Sequence, residues 1–287
     1  MTAAVTPADR VVATPAECRT AILDVIRGAT REIGISLFRC NDPETFAELA
    51  NARRRGVAVR ALMTARAAGR KGKLEKLLRA LVEADVSVSV YADPVVKYHA
   101  KYLLADDGPA VVASLNFTKK CFSRTLDALV VTYDAAVVSG LREVMSADCD
   151  TRPISASVSP RLIVGPERAR VQFNELVMGA TSSIRIVDAK LSDPAFLALL
   201  AARRAAGVRV DVFGSKSYGE LKSHGKIWLI DDRIGVVGGL PLAAVSLDFR
   251  REIALTVDGA GAIASLRQFF DSVAAMSPGS ADRTACA

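Results

Sequence analysis

The stretch KYHAKYLLAD at residues 97–106 decides the fold, because its pattern returns in SHGKIWLIDD at residues 223–232. In each stretch a histidine is followed by a lysine two residues later and by an aspartate seven residues later. These residues are His99, Lys101 and Asp106 in the first stretch, and His224, Lys226 and Asp231 in the second. The chain has 287 residues and only two histidines, so both histidines belong to the repeated pattern.

A longer internal repeat surrounds this pattern. Residues 28–62 align without gaps on residues 179–213, at a constant offset of 151. Each copy predicts a strand, a loop, an amphipathic helix and a second strand. The two helices are predicted to begin at Asp-Pro pairs, because aspartate caps a helix and proline is tolerated at its first position. The sequence therefore predicts two copies of one fold.

At the two histidines the offset is 125, so the first copy holds 26 additional residues before His99 (151 − 125 = 26). Within this insertion, residues 73–85 predict a helix and residues 86–91 predict a strand. We interpret the insertion as one more helix–strand unit that covers the sheet. The alternative is that it shapes the entrance to a substrate site, because it leads directly into the His99 segment.

Alternating strands and helices predict an α/β fold. We expect two domains, at residues 1–152 and 153–287, each a mixed β-sheet flanked by helices and related to the other by a pseudo-two-fold axis. Residues 151–160 are rich in proline and serine and are the expected linker. The first dozen residues and residues 278–287 are expected to be poorly ordered.

The composition narrows the class of protein. Hydrophobic residues make up 51% of the chain, which excludes a disordered protein. The net charge of +7 favours a polyanionic partner, either nucleic acid or an anionic membrane contacted peripherally. No apolar run approaches the roughly 20 residues of a membrane span, and we expect no transmembrane segment. No signal peptide is evident at the start, so a cytoplasmic location is expected.

The cysteines indicate neither a disulfide framework nor a zinc site. Their number is odd and their spacing is wide, without a C-x-x-C motif. Reduced thiols in a cytosolic protein are the expected state. The five cysteines are Cys18, Cys40, Cys121, Cys149 and Cys286.

The chemistry of the repeated motif points to a phosphate. In a strand, residues i and i+2 share a face, so each motif should place an imidazole beside an ammonium group. If the two halves dock about their two-fold axis, both pairs can meet around one anion. The lysines can neutralise phosphate oxygens, one imidazole can attack phosphorus, and the other can transfer protons. Because lysines supply the positive charge, we expect neither a metal nor another cofactor.

The pattern H-x-K-x4-D-x6-G-S-x-N resembles the signature of the phospholipase D superfamily, in which two-copy members form one active site. The last four positions read Ala-Ser-Leu-Asn at residues 113–116 and Gly-Gly-Leu-Pro at residues 238–241. The second copy therefore lacks the usual serine and asparagine. Backbone N–H groups of Gly238 and Gly239 could replace them as an anion nest.

The resemblance implies a role for each matching residue. His99 would be the nucleophile and His224 the general acid and base, while Lys101, Lys226 and Asn116 bind phosphate. Two carboxylates, each 28 residues after a histidine, would orient the imidazoles, and which carboxylate serves which histidine stays open. The remaining residues are these carboxylates, Asp127 and Glu252; Ser114, Gly238 and Gly239, which would bind substrate; and Asp106 and Asp231, which would be structural.

The expected function is that of a phospholipase D-like, metal-independent phosphodiesterase that hydrolyses or transfers through a phosphohistidine intermediate. A phospholipid is the favoured substrate. One alternative is a nuclease of the same superfamily, for which RAAGRKGKLEK at residues 66–76 could follow a phosphate backbone. Another is a catalytically silent module that binds a polyanion. The sequence does not indicate an oligomeric state.

Overall fold

The computed structural model of the chain describes residues 8–66, 71–214 and 217–277. The elements of the first half are β1 (Arg10–Val12), α1 (Pro15–Gly28), β2 (Glu32–Leu37), α2 (Pro43–Arg54), β3 (Ala58–Thr64), α3 (Lys71–Glu83), β4 (Ser87–Tyr91), β5 (Lys97–Tyr98), β6 (Tyr102–Ala105), β7 (Ala110–Ala113), α4 (Cys121–Arg124), β8 (Thr125–Leu126), β9 (Leu129–Thr132) and α5 (Ala135–Asp150).

The second half repeats this order without the insertion, with two differences. Its elements are β10 (Leu162–Gly165), α6 (Ala169–Gly179), β11 (Ser183–Asp188), α7 (Pro194–Ala205), β12 (Arg209–Phe213), β13 (Ser217–Tyr218), β14 (Leu221–Ser223), β15 (Lys226–Ile230), β16 (Ile234–Gly238), α8 (Ala244–Phe249), β17 (Arg250–Val257) and α9 (Ala260–Ala275). The differences are that β13 is additional and that β17 takes the place of both β8 and β9. Residues 151–161, which include the expected linker, hold no helix or strand.

Each half contains one large mixed sheet. The first has the order β1-β9-β7-β6-β2-β3-β4, and the second has β10-β17-β16-β15-β11-β12. Strand for strand the two orders match, except that β4 of the insertion has no counterpart among the described strands. The predicted α/β fold, with two copies in pseudo-two-fold arrangement, is confirmed.

The two sheets share a hydrophobic core. Val112 on β7 and Val237 on β16 are fully buried in one cluster that contains side chains of both halves. Two further clusters lie beneath the outer helices, one in each half. Because the largest cluster spans both sheets, burial of apolar surface holds the halves together as one unit.

The helix starts follow the sequence as predicted. Asp42 accepts a hydrogen bond from the backbone N–H of Thr45 at 3.0 Å, and Asp193 accepts one from Phe196 at 3.1 Å. Each cap satisfies a backbone donor that the first turn leaves without a partner. The two equivalent helices, α2 and α7, therefore begin at the same position of the repeat.

The insertion forms the predicted helix–strand unit. Strand β4 pairs in parallel with β3 and is the edge strand of the first sheet. Leu77 and Leu81 of α3 are buried against the sheet, whereas Leu78 and Val82 are exposed. The apolar face of this helix is therefore narrower than its leucines suggest.

One expectation about the termini was wrong. Arg10–Val12 do not fray but form β1, which pairs antiparallel with β9 through Val131, Val130 and Leu129. The apolar pair Val11 and Val12 is buried, which stabilises this edge strand. Residues 1–7 and 278–287 lie outside the described residues.

Two short strand pairings cross between the halves. Strand β5 pairs in parallel with the start of β17, matching Lys97 with Arg250 and Tyr98 with Arg251. Strand β14 pairs in the same way with β8. At an offset of 125 the two pairings are equivalent, and each immediately precedes a histidine. These crossings fix the histidines of one half against strands of the other.

Two smaller observations concern the whole chain. Within the described ranges, the helices are too short or too polar to cross a membrane. The four described cysteines, which exclude Cys286, are free thiols.

Candidate active site

Each histidine lies between a short strand that pairs with the other half and a strand in the sheet of its own half. The backbone N–H of His99 donates to the carbonyl of Arg251 at 2.9 Å, and the N–H of Gly225, after His224, donates to Leu126 at 2.8 Å. The motif was expected in a continuous strand, but the histidines fall between two strands. The reason is that the backbone leaves its pairing with the other half before it enters its own sheet.

A glycine is required beside the second histidine. A Cβ atom on Gly225 would lie 2.9 Å from the carbonyl oxygen of Leu126 and 3.3 Å from the Cα of Asp127. Both contacts are with backbone atoms that cannot turn away. The close approach of the two halves at this point therefore depends on the absence of a side chain.

The carboxylates cross between the halves. Nδ1 of His224 lies 3.0 Å from both carboxylate oxygens of Asp127, and Nδ1 of His99 lies 2.9 Å from Oε1 of Glu252. The pairing that the sequence left open is therefore reciprocal, since each half supplies the carboxylate for the histidine of the other. With Nδ1 engaged, Nε2 is the ring nitrogen that each imidazole can present to a substrate.

Asp127 is surrounded by donors. Ser114 donates to Oδ1 at 2.7 Å and Thr125 donates to Oδ2 at 2.6 Å. Burial opposes ionisation, but His224 and these two hydroxyl groups hold the pKa of Asp127 below its usual range. The Ser114 hydroxyl also accepts the N–H of Ala128 at 3.0 Å. Ser114, predicted to bind substrate, is thus engaged in holding Asp127.

Glu252 has a less polar environment than Asp127. It is fully buried, and among the described residues neither carboxylate oxygen has a partner with hydrogen-bond geometry, so the 2.9 Å approach of His99 Nδ1 to Oε1 is a close contact of the two groups. Its nearest cations are Lys101 Nζ, at 3.9 Å from Oε2, and Arg250 Nη1, at 3.9 Å from Oε1. Burial raises the pKa of Glu252 to about 7, although Lys101 and Lys226 oppose the shift.

Gly239 explains why the second copy lacks the usual serine. A Cβ atom on Gly239 would lie 2.5 Å from Oε2 of Glu252 and 3.4 Å from Nζ of Lys101. The extra methylene of Glu252, relative to Asp127, fills the space that a serine side chain takes in the first copy. The Gly239-for-serine and Glu252-for-aspartate differences are therefore two parts of one packing solution.

The predicted anion nest at residues 238–239 is not formed. The N–H of Gly239 donates to the carbonyl of Ile253 at 2.8 Å, so it is not available to a phosphate. Gly238 packs against the neighbouring strand, where a Cβ atom would lie 2.3 Å from Cα of Ala254. These glycines serve close packing, and this part of the sequence interpretation was wrong.

Both motif lysines are buried. The ammonium group of Lys101 lies 2.8 Å from Nδ1 of His99 and also donates to the His99 carbonyl, and Lys226 donates to the His224 carbonyl at 2.5 Å. Because an ammonium group can only donate, Lys101 and Glu252 compete for Nδ1 of His99, and the tautomer with a proton on Nδ1 is the one that pairs with Glu252. Burial lowers the pKa of Lys101 to about 7, against the opposing charge of Glu252. An anion that enters the site would meet cations with little water around them.

The two motifs converge on one site. Burial, followed by the charges of Lys101 and Lys226, lowers the pKa of His99 well below its usual value. Lys226 belongs to the other half, so its field at His99 reflects the meeting of the two pairs. The Phe38 ring, with its centroid 4.0 Å from that of His99, covers the imidazole from one side. Burial and these charges therefore favour the neutral form of His99.

Asn116 is the remaining polar side chain predicted to bind phosphate. It is 6% exposed, and its Oδ1 atom has no hydrogen-bond partner among the described residues. A buried amide oxygen without a partner is uncommon in proteins. Its counterpart, Pro241, offers no side-chain donor, so the two halves of the site differ at this position.

Asp106 and Asp231 lie away from the imidazoles, at the far ends of β6 and β15. Asp106 accepts backbone N–H groups at residues 30, 31 and 32, at 2.8–2.9 Å. Asp231 accepts those at residues 181, 182 and 183, at 2.7–2.8 Å. Both fix the turn that leads into the equivalent strand of each sheet.

One group in the described part of the chain has ligand atoms close enough to hold a metal ion. It consists of Cys121, Asp127 and His224, whose atoms lie within 4.8 Å of one another. Asp127 and His224 already pair with each other in this group. The motif signals of the sequence did not include Cys121.

Sequence reasoning missed several cations around His99. Lys97 precedes it by two residues, and Arg250 faces Lys97 across the β5–β17 pairing. Arg39 and Lys190 follow equivalent strands, 151 residues apart, at the same position of the repeat. That equivalence was readable in the sequence, whereas the position of Arg250 depends on the pairing between the halves.

Comparisons with known proteins agree with this architecture. Residues 22–149 match the family model described as "Cardiolipin synthase, PLD-like domain". None of the curated proteins matches the chain significantly. The family match confirms the predicted resemblance to the phospholipase D superfamily.

Two solved structures share the fold over nearly the whole chain. Polyphosphate kinase from Porphyromonas gingivalis has a TM-score of 0.73 at 17% identity, covering 93% of this chain and 46% of its own. Phosphatidylserine synthase from Haemophilus influenzae Rd KW20 has a TM-score of 0.71 at 12% identity, covering 94% and 87%. The chain thus spans less than half the length of the kinase. At these identities the likeness is one of fold.

Proposed function

We propose that the chain cleaves and transfers phosphodiester groups through a phosphohistidine, with residues 1–152 and 153–287 as two domains that share one active site. The observation that carries this proposal is the reciprocal arrangement of His99 with Glu252 and His224 with Asp127. Two oriented imidazoles and two buried ammonium groups suit a reaction that needs a nucleophile, a proton carrier and a cradle for phosphate oxygens.

The first step forms the covalent intermediate. Nε2 of neutral His99 attacks phosphorus, the bond from phosphorus to the leaving oxygen breaks, and its electron pair stays on that oxygen. Protonated His224 gives its proton to the leaving oxygen. Glu252 accepts the Nδ1–H of His99 and stabilises the charge that the ring acquires.

The second step releases the phosphoryl group. Neutral His224 takes a proton from water or an alcohol, whose oxygen attacks phosphorus as the bond to His99 breaks. Lys101, Lys226 and Asn116 contact the non-bridging oxygens in both steps, where negative charge grows in the transition state. His99 and His224 then return to their starting protonation states.

The assignment of His99 as the nucleophile rests on its environment. Burial and the neighbouring ammonium groups favour the neutral imidazole that an attacking group requires. The side chain of His224 is more exposed, at 31% against 14% for His99, so it can exchange protons with water more easily. Asn116 also belongs to the first half, which carries His99.

A phospholipid is the substrate that the surroundings favour. Val95 is 66% exposed and Phe249 is 52% exposed, and both lie next to the paired residues Lys97 and Arg250. Exposed apolar side chains beside cations suit a peripheral contact with an anionic bilayer. The name of the matching family model and the fold shared with phosphatidylserine synthase agree with this class of substrate.

The nuclease alternative rests on the basic stretch at residues 66–76, of which residues 67–70 lie outside the described residues. The catalytically silent alternative does not account for two carboxylates positioned at hydrogen-bond distance from two imidazoles.

A substrate panel tests the proposal. The purified protein would be assayed on vesicles of phosphatidylglycerol and phosphatidylcholine, on single- and double-stranded DNA, on RNA and on bis(p-nitrophenyl) phosphate. We expect head-group release from vesicles and cleavage of the chromogenic ester. Degradation of nucleic acid without attack on lipid would establish the nuclease, and no turnover of any substrate would contradict the enzyme.

Variants of the exposed apolar residues Val95 and Phe249 separate the membrane contact from the chemistry. Phe249→Ser combined with Val95→Ser should reduce activity on vesicles while leaving cleavage of bis(p-nitrophenyl) phosphate unchanged. Met178→Ser is the matched control, because Met178 is 58% exposed on α6, near the Asp231 end of the second sheet. Equal loss in the control variant would contradict a specific membrane face.

A further inference from the structure

Arg250 differs from its counterpart in the first half. Thr125 stands two residues before Asp127 and donates to it at 2.6 Å. Arg250 stands two residues before Glu252, but its Nη1 atom lies 3.9 Å from Oε1, which is beyond a hydrogen bond. Its Nε atom is buried and has no hydrogen-bond partner among the described residues. The guanidinium group therefore does not serve the carboxylate as Thr125 does.

Arg250 lies among other cations. It faces Lys97 across the β5–β17 pairing, and its charge acts on both His99 and Lys190. Burial, followed by the charges of Arg250, Arg39 and Arg66, lowers the pKa of Lys97. Gathering like charges at a partly buried surface costs free energy unless an anion binds there.

The two sides of the site differ at the positions of Lys97 and Arg250. On the His224 side, the positions of Lys97 and Arg250 are taken by Lys222 and by Thr125, which is neutral. The two sides therefore differ in one cation: Arg250 lies on the His99 side, and the neutral Thr125 takes its place on the His224 side. A symmetric phosphate at the centre of the site would not require this difference.

Resting on the proposed function, we propose that Arg250 and Lys97 form a second anion-binding subsite beside His99. It binds a phosphate group of the substrate other than the one that reacts. An arginine with a buried, unpartnered Nε suits this role, because its planar fork matches phosphate oxygens in a bidentate contact. The second phosphate can belong to a lipid head group or to a small molecule, since the same contact recognises both.

Isothermal titration calorimetry with inorganic pyrophosphate and orthophosphate tests the subsite without requiring turnover. Pyrophosphate spans two anion sites and should bind more tightly than orthophosphate. Arg250→Gln should weaken pyrophosphate binding by about tenfold to a hundredfold, as expected for one charge-assisted bidentate contact, and orthophosphate binding by less than about threefold. Arg250→Lys keeps the positive charge but lacks the planar guanidinium group. Its affinity for pyrophosphate should lie between those of the unmodified protein and Arg250→Gln.

Lys222→Gln is the matched control, because it removes the cation equivalent to Lys97 on the other side of the site. It should leave the preference for pyrophosphate intact. Equal affinity for the two anions in the unmodified protein, or equal weakening of both by Arg250→Gln, would overturn the subsite. Because binding is measured directly, these results are separate from a failure to hydrolyse any phosphodiester.

A vesicle arm distinguishes the two sources of the second phosphate. The rate of head-group release from vesicles of phosphatidylglycerophosphate would be compared with the rate from vesicles of phosphatidylglycerol, a lipid with one phosphate fewer. A preference for the former that Arg250→Gln removes assigns the subsite to lipid head groups. A preference seen only with pyrophosphate assigns it to small phosphates, and no preference in either arm contradicts the proposal.

Discussion

Glu252 Oε1 lies 2.9 Å from Nδ1 of His99, although the two residues belong to different halves of the chain. The carboxylate reaches this position because Gly239 leaves room for it. In the other direction, Asp127 reaches His224 beside the larger Ser114. Two different pairs of side chains thus give nearly the same distance between carboxylate and imidazole.

This equivalence predicts a reciprocal exchange. Gly239→Ser alone should displace Glu252 and lower kcat on bis(p-nitrophenyl) phosphate by about a hundredfold, as a small misplacement of a catalytic group can. The double variant Gly239→Ser with Glu252→Asp reproduces the arrangement of the first half and should recover most of that loss. A double variant no faster than Gly239→Ser would show that the two positions do not compensate each other.

The buried charges predict a narrow pH profile. The rate should rise with pH as Glu252, with a pKa of about 7, ionises and can accept the His99 proton. It should fall again as Lys101, also with a pKa of about 7, loses its proton and its attraction for phosphate. The measurement is kcat/KM on bis(p-nitrophenyl) phosphate between pH 5 and 9.

Two variants assign the limbs of that profile. Glu252→Gln should remove the acidic limb at a reduced maximal rate, and Lys101→Arg should move the alkaline limb to higher pH because arginine keeps its charge. An unchanged profile in both variants would mean that other groups control the pH dependence.

Asp106 should stabilise the fold in a pH-dependent way. Although partial burial opposes it, backbone N–H groups at residues 30–32 lower the pKa of Asp106 to about 2. Its contribution is therefore present above the unfolded pKa, near 4, and is lost as pH falls towards 2. Asp106→Asn should cost about 1–2 kcal/mol at pH 7, discounted for partial exposure.

Urea unfolding at pH 7 and at pH 3 would measure that contribution, with Asp107→Asn as the neighbouring control. Asp107 is exposed and its ion pairs within the described residues are with surface arginines, so its variant should change stability by less than about 0.5 kcal/mol. If Asp106→Asn lowers the free energy of unfolding as much at pH 3 as at pH 7, the hydrogen bonds and not the ionised carboxylate are responsible for the stabilisation.

Much of the architecture was predictable because the repeat is written in local signals. Asp42 and Asp193 mark two helix starts, and the periodicity of residues 73–91 indicates the inserted unit. The reciprocal pairing of carboxylates and histidines was not predictable, since Asp127 and Glu252 are equally distant in sequence from their own histidines. It depends on the β5–β17 and β14–β8 pairings, which join residues more than 90 positions apart.

The interpretation of the glycine pair shows the limit of reasoning from a motif. Gly239 and Pro241 stand where the signature has serine and asparagine, so an anion nest at Gly238 and Gly239 was a reasonable expectation. Their actual role is close packing, because Ile253 takes the N–H of Gly239 and Glu252 takes the space beside it. The compensating residue, Glu252, lies on another strand, so the sequence around Gly239 does not indicate this packing.

Chelation should leave the reaction intact. Lys101 and Lys226 supply the positive charge at the phosphate, so activity on bis(p-nitrophenyl) phosphate should be unchanged in excess EDTA. Cys121→Ala should be equally insensitive, although Cys121 is one of three residues placed to hold a metal. Loss of activity on chelation, restored by a divalent ion and weakened in Cys121→Ala, would replace the lysine-based mechanism with a metal-dependent one.

The most direct test of the account is to trap the covalent intermediate in the two histidine variants. Each protein would be mixed with bis(p-nitrophenyl) phosphate, quenched and analysed for phosphohistidine by peptide mass spectrometry. His224→Asn keeps the nucleophile but lacks the base for the second step, so it should release a burst of p-nitrophenolate and accumulate phosphohistidine at residue 99. His99→Asn should show neither. A phosphoryl group on His224 and none on His99 would reverse the roles, and no adduct in either variant would contradict the phosphohistidine mechanism.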